Sequence, residues 1–255
     1  VYRTALVLGA SGTVDAPVTI RLAEEPGRNG TVRIFGGRAT PLPYCGQTSY
    51  VPDRSGTGHG ITVNGRSHIV IDGGHWSGIM VYGWTRGVFL SWNGDNQRVT
   101  LRNAEVFDNG AWSANNGSDE EAITGGGTGL LFERLILHDN GQDQFQTGYK
   151  MPVNDVVFRR RWFYNQRPHP AVRGEPFNYC MHSDGIQFFG DLNHSDITIE
   201  DSIIGPGLMH GMMLGEIGRV DRVTVRNSLF VGYHGEANNA SFLIKDTLAG
   251  RDSYV

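Results

Sequence analysis

Cysteine is almost missing from this chain. Only Cys45 and Cys180 occur in 255 residues, which excludes a disulfide-dense scaffold and leaves one bridge or two free thiols equally open. Charge is sparse too. Asp, Glu, Lys and Arg make up 19% of the residues and the formal net charge is -4, so there is neither the basic footprint of a nucleic-acid binder nor an acidic tail. No apolar run approaches the roughly 20 residues that span a bilayer. Helical periodicity is absent between the apolar runs, which argues against helix bundles and doubly wound folds. The chain opens at Val1 without an initiator Met or a charged-then-apolar leader. The expectation is a mature or trimmed product.

Turn formers are abundant, with 36 glycines and ten prolines. Between them lie short runs that superimpose without gaps: Ile69-Val-Ile-Asp-Gly, Val99-Thr-Leu-Arg-Asn, Leu130-Leu-Phe-Glu-Arg, Val156-Val-Phe-Arg-Arg, Ile197-Thr-Ile-Glu-Asp and Val223-Thr-Val-Arg-Asn. Each alternates apolar and polar, the period of a strand with one buried face. Their starts are 30, 31, 26, 41 and 26 residues apart. Several are followed by a second apolar pair, such as Ile203-Ile204 and Leu229-Phe230, and Asp-Asn-Gly recurs at 108–110 and 139–141. Self-similarity at this spacing marks a solenoid or a propeller. Three short strands per unit, rather than four, predict an all-β fold: one parallel β-helix solenoid of about seven or eight coils, forming a single domain over residues 1–255. The fourth position after each strand start reads Gly73, Asn103, Arg134, Arg160, Asp201, Asn227, a column suited to turns.

The long insertions, near 36–59, 111–120 and 166–181, all precede the first strand of a coil. In a solenoid that places them along one side, where they would wall a groove. The bland alternative is that loops collect wherever turns tolerate them.

Counting back from the aligned runs brings the first strands into register. Asp143, Asp184 and His210 each stand 13 residues before a run, and Glu121 joins them if its triple-glycine turn is four residues shorter. Three acids at rung spacing repel, by roughly 0.8 kcal/mol in water and 3 or more at a partly buried site. Such a stack implies a bound cation, a raised carboxyl pKa or a basic partner. A solvated edge is the alternative. Calcium held by Glu121, Asp143 and Asp184 is therefore one expectation. Asp184, His182, Asp143 and His210 are the catalytic candidates, the histidines as acid, base or carboxylate orienter. Gln146 and Gln187 suit sugar hydroxyls, or form an amide ladder between rungs. Lys150, Arg173 and Trp112 complete the candidate substrate contacts. Trp76, Trp84 and Trp92 are further stacking platforms, whereas Trp162 lies within a strand and is expected in the core or in rung stacking. Arg159-Arg160-Arg161 puts at least one guanidinium outside.

These residues resemble the pectin-lyase-like superfamily of right-handed parallel β-helix enzymes. Thr13-Val-Asp-Ala-Pro-Val-Thr-Ile20 is similar to the segment that opens the helix in alginate- and chondroitin-lyase-type enzymes. His182-Ser-Asp-Gly-Ile186 resembles the Asn-Thr-Asp-Gly-Ile/Phe motif of polygalacturonases, Met209-His-Gly-Met-Met-Leu-Gly-Glu-Ile-Gly218 their Gly-His-Gly motif, and Ile244-Lys245 their Arg-Ile-Lys. The resemblance implies Asp184 as catalytic acid, His210 in support and Lys245 as a binder of substrate carboxylate. The chain has no Asp-Asp pair, and Leu243 stands in place of the arginine.

The sequence therefore predicts a secreted enzyme that cuts an acidic, uronate-containing polysaccharide by β-elimination or by hydrolysis. Its partner would be a polysaccharide or oligosaccharide, with no nucleic acid and no membrane span. A non-catalytic glycan-binding β-helix, as in an adhesin or phage-tail-like fibre, is the alternative.

Overall fold

The computed structural model describes residues 1–23, 25–27, 30–37, 58–110, 121–148, 150–166, 184–190, 192–208, 210–215, 218–231, 242–246 and 251–254. The chain winds as a right-handed parallel β-helix whose coils each contribute first, second and third strands. First strands line up as one sheet, from Leu6–Val7 through His59–Thr62, Arg86–Phe89, Ile123–Thr124, Phe145–Gln146, Asp184–Phe188 and His210–Leu214 to Phe242–Asp246. All of these pairings are parallel, and only Arg251–Tyr254 closes the sheet in the antiparallel sense. The second and third strands form the other, twelve-stranded sheet. In its middle they run on as single bent strands, Val99–Phe107 and Gly127–Asn140.

The aligned runs are the second strands, and their register matches the sequence alignment: Ile69 opposite Val99, Val156 opposite Ile197, Ile197 opposite Val223. What bends the chain is a pair of left-handed residues bracketing each run. His68, Arg98, Asp155, Asp196 and Arg222 precede the runs with φ between 53° and 57°, and Asn103, Arg134, Arg160, Asp201 and Asn227 follow them with φ between 47° and 58°. Left-handed backbone costs an L-residue about 1–2 kcal/mol, least for Asn and Asp. Side-chain bonds support the corners. Asn103 donates to Asp72 (2.6 Å) and Asn227 to Asp201 (2.5 Å) on neighbouring coils. In the Ile69 coil the left-handed residue is Gly74 (φ 76°), one place later than the sequence column suggested.

The apolar alternates of all three strands fill the interior, including Ile69, Ile71, Phe132, Phe145, Phe158 and Ile186, all buried. The recurring Asp-Asn-Gly turns stack as well. Asp108 and Asp139 are left-handed (φ 50° and 51°), and the buried amides of Asn109 and Asn140 bond to each other (3.0 Å) and on to Gln144 (2.7 Å). Such a ladder satisfies the polar groups of each corner by borrowing from the next coil. Of the Arg159–Arg161 triplet, the first two point outward to Glu133 (3.0 and 3.5 Å), while Arg161 is turned into the core. Among the described residues, no helix is long and apolar enough to cross a membrane.

Candidate active site

Most first strands share a local pattern: an ionisable residue, a small residue, an apolar residue and then a polar or aromatic one. The second place faces the third strands, so it is small except at Gln144, whose amide joins the asparagine ladder. A Cβ added to Gly185 would sit 2.6 Å from Ile204 Cγ2, and one on Gly87 would collide with Val106. The ionisable residue one place earlier is therefore turned to the outer face of the sheet. Its contacts agree. Thr124, in the outward column, donates its hydroxyl to Glu121 Oε2 (2.8 Å), and the His59 ring packs at 4.4 Å on Phe89 of that same column.

Register brings the acids into line as the sequence predicted. Asp184 pairs with His210, Gln146 with Gln187 and with Thr124, and Phe145 with Ile123. One column thus reads Glu121, Asp143, Asp184, His210. It also continues backwards through Arg86 and His59, since His59 pairs with Arg86 and Val88 with Ile123. Sequence reasoning missed these two. The signal was present in His59-Gly60-Ile61 and Arg86-Gly87-Val88, which repeat the pattern of Asp184-Gly185-Ile186.

Neighbouring rungs bond to one another. Arg86 Nε donates to Glu121 Oε2 at 3.1 Å, and Arg86 Nη1 lies 3.4 Å from His59 Nε2. Asp143 Oδ1 accepts the backbone N–H of Asp184 at 2.7 Å. His210 Nδ1 lies 2.7 Å from Asp184 Oδ1. Glu121, Asp143 and Asp184 are 0% exposed, and His210 is 7% exposed. In this run the histidine is the member that reaches solvent.

The pairing defines what the group can do. A carboxylate holding Nδ1–H fixes the imidazole tautomer whose lone pair is on Nε2 and stabilises the ring once it gains a proton. Asp143 acts one step further back. By accepting the Asp184 N–H it sets the backbone from which the Asp184 side chain departs. Each of the three carboxylates expected to hold calcium directs one oxygen to a protein group. Glu121 Oε2 is directed to Arg86 and Thr124, Asp143 Oδ1 to a backbone amide and Asp184 Oδ1 to His210. Among the described residues no group of three or more His, Cys, Asp or Glu side chains is arranged to hold a metal ion.

The other candidates are dispersed. Gln146 donates its amide to the Gln187 carbonyl, and Gln187 in turn lies 3.7 Å from Met213 Sδ, the geometry of a rung-tying ladder. Lys150 is exposed on the turn between the first and second strands of its coil. Lys245 lies in the strand Phe242–Asp246, whose backbone alone is described. His182, Arg173, Trp112, Cys45 and Cys180 fall outside the described residues, as do nearly all residues of the three insertions. Trp84 is buried, with its indole N–H on Ile34 O (3.2 Å). Of the two places expected for Trp162, the core or rung stacking, the core is not where it lies. It is 43% exposed on the outer face, where its N–H reaches Gly205 O (3.1 Å) and its ring lies 4.3 Å from Tyr164.

No protein-family model matches the chain, and no curated protein sequence matches it. Among solved structures it is similar to the pectate lyase Pel9A, with a TM-score of 0.51 and 14% identity over 92% of this chain and 66% of that one. An alginate lyase from Paenibacillus sp. str. FPU-7 aligns with a TM-score of 0.45 and 12% identity, over 91% of this chain and 87% of that chain. At such identities the likeness speaks for architecture. The chain has a right-handed parallel β-helix fold.

Proposed function

We propose that this protein degrades an acidic, uronate-containing polysaccharide by β-elimination, with His210 as the base and Asp184 as the residue that orients it. The observation that carries the reading is the 2.7 Å contact between His210 Nδ1 and a buried Asp184 carboxylate on adjacent rungs. Nothing in a purely structural ladder needs the last ionisable rung to be a histidine with residual exposure. Supporting it is the fold shared with a pectate lyase.

In this reading, His210 Nε2 takes the proton from C5 of a uronate, the carbon next to its carboxyl group. The C–H electrons form the C4–C5 double bond as the C4–O4 bond breaks, and water protonates the departing oxygen. Asp184 stabilises the imidazolium formed in that step, a role worth about 10²–10⁴ in rate. Asp143 is a positioning residue. The localisation that suits such a substrate is outside the cytoplasm, secreted, periplasmic or on a cell surface.

The test is incubation of the purified protein with pectate, alginate and other polyuronates while following the ultraviolet absorbance of unsaturated uronate ends. Elimination predicts that absorbance, and its loss in His210→Ala. New reducing ends without it would replace the reading with hydrolysis. Polymer binding with no product from any polyuronate would replace it with a glycan-binding module.

A further inference from the structure

The indole of Trp92 is not used by the dyad, yet it is built into the same outer face. Its backbone is fixed by a tight local network. Ser91 donates its hydroxyl to Asp95, the Asn93 N–H returns to Ser91 Oγ at 3.1 Å, and Gly94 turns with φ 66° against Pro152 of the next coil but one. The ring itself is fixed from beneath. The Arg86 guanidinium carbon lies 4.7 Å from its centroid and the Phe89 ring 4.9 Å away. Arg86 is in turn held by Glu121, and Phe89 by His59.

Arg86 and Phe89 are buried, whereas Trp92 remains 48% exposed. The indole therefore roofs these two side chains and turns surface to solvent. Leaving that much of an aromatic ring wet forgoes stabilisation of order 1 kcal/mol. A turn needing only cover for Arg86 and Phe89 would be served by a smaller aliphatic residue.

We infer that Trp92 is a stacking platform for a distal sugar of the acidic glycan, an inference that rests on the function proposed above. A sugar ring presents one C–H face that packs on a flat aromatic surface, and its hydroxyls leave sideways into water. The guanidinium beneath holds the indole flat and in place for that contact. Position supplies the link to the dyad. From Arg86 the column passes Glu121 and Asp143 to Asp184 and then His210. Those three and four rung steps amount to about 14 and 19 Å at the ~4.8 Å spacing of paired strands. A chain of several sugars laid along the helix axis spans both sites, and a short oligomer does not.

The experiment has two arms. In the first, kcat/KM is compared on long polyuronate and on the shortest oligomer cleaved, for wild type, Trp92→Ala and Trp92→Tyr. Trp92→Ala is expected to lower the polymer-to-oligomer ratio about tenfold, and Trp92→Tyr to restore most of it. An unchanged ratio, or one that Tyr does not restore, overturns the platform. In the second arm, retention of the His210→Ala protein is read in a gel containing polyuronate, with and without Trp92→Ala. Retention lost with Trp92→Ala supports the platform even where wild type forms no product, an outcome that removes the proposed function but not this inference. Equal retention of both proteins, or none of either, overturns it.

Discussion

The His59–Arg86–Glu121 end of the first-sheet column and its Asp143–Asp184–His210 end occupy the same face and the same strand position, but they handle charge in opposite ways. At the first, a buried acid is met by a guanidinium 3.1 Å away, and the guanidinium is roofed by an indole. At the second, two acids follow one another on adjacent rungs: Asp143 accepts a backbone N–H, and the side chain that meets Asp184 is a histidine. A fixed cation neutralises an acid permanently. A histidine does so only when it carries a proton, which makes the second end able to exchange protons and the first end structural. The fold places both. The choice of arginine or histidine separates them.

The largest effect should come from swapping acids across that divide. Asp184→Asn is expected to lower kcat on polyuronate by about 10²–10⁴ with the fold intact, whereas Glu121→Gln should leave kcat within about fivefold and act on stability. Steady-state kinetics of the two variants checks this, and equal losses would erase the distinction. Next, Arg86→Met removes the cation facing a buried acid and is expected to cost about 3–5 kcal/mol, read from the urea midpoint. A cost below about 1 kcal/mol would mean the pair is not structural.

A third ionisable side chain sharpens the contrast. Arg161 is 3% exposed and lies between the Phe158 and Phe163 rings, its centre 4.3 and 4.6 Å from theirs, and none of its guanidinium nitrogens has a hydrogen-bond partner. Burial pushes its pKa well below the usual arginine range. Arg161→Met should therefore stabilise the protein, by about 1–3 kcal/mol in the same unfolding experiment. Destabilisation would show that the ring contacts outweigh the desolvation.

The smallest effects concern two histidines away from the column. Burial alone would lower the pKa of His138, but bonds to Asp139 (2.6 Å) and Glu105 (3.0 Å) overcome it and raise the value to about 9. Its contribution to stability is full below its unfolded pKa of 6.5 and is lost as the pH rises through about 9. Burial dominates at His194 and lowers its pKa to about 4, with Nδ1 accepting the Val153 N–H. That contribution is full above 6.5 and is lost as the pH falls through about 4. Thermal melts across pH should show the deficit of His138→Gln shrinking on the alkaline side and that of His194→Gln on the acid side. Parallel curves would contradict both assignments.

Much of this arrangement was legible in the sequence because a solenoid turns linear spacing into vertical register. The runs beginning at Val99, Val156, Ile197 and Val223 superimpose in sequence and pair in that register in the structure, and Asn103, Asp201 and Asn227 read as corners because their side chains tolerate left-handed backbone. The alignment of Glu121 survived even though its turn is four residues shorter. What the sequence concealed were partners. Spacing puts Glu121 beside Asp143 but does not reveal that Glu121 Oε2 turns to Arg86 on the previous rung, the basic partner that a stack of acids implies. The core was one of the two places expected for Trp162 for a related reason. Strand alternation assigns faces only when the corner is known, and the left-handed Arg160 resets the alternation just before it.

The most direct test is a crystal structure of the Asp184→Asn protein with a bound oligouronate. The account predicts a uronate with its C5 within contact distance of His210 Nε2, and the chain continuing along the helix axis toward Trp92. An oligomer seated on another face, or lying on this one with His210 remote from every C5, would contradict it.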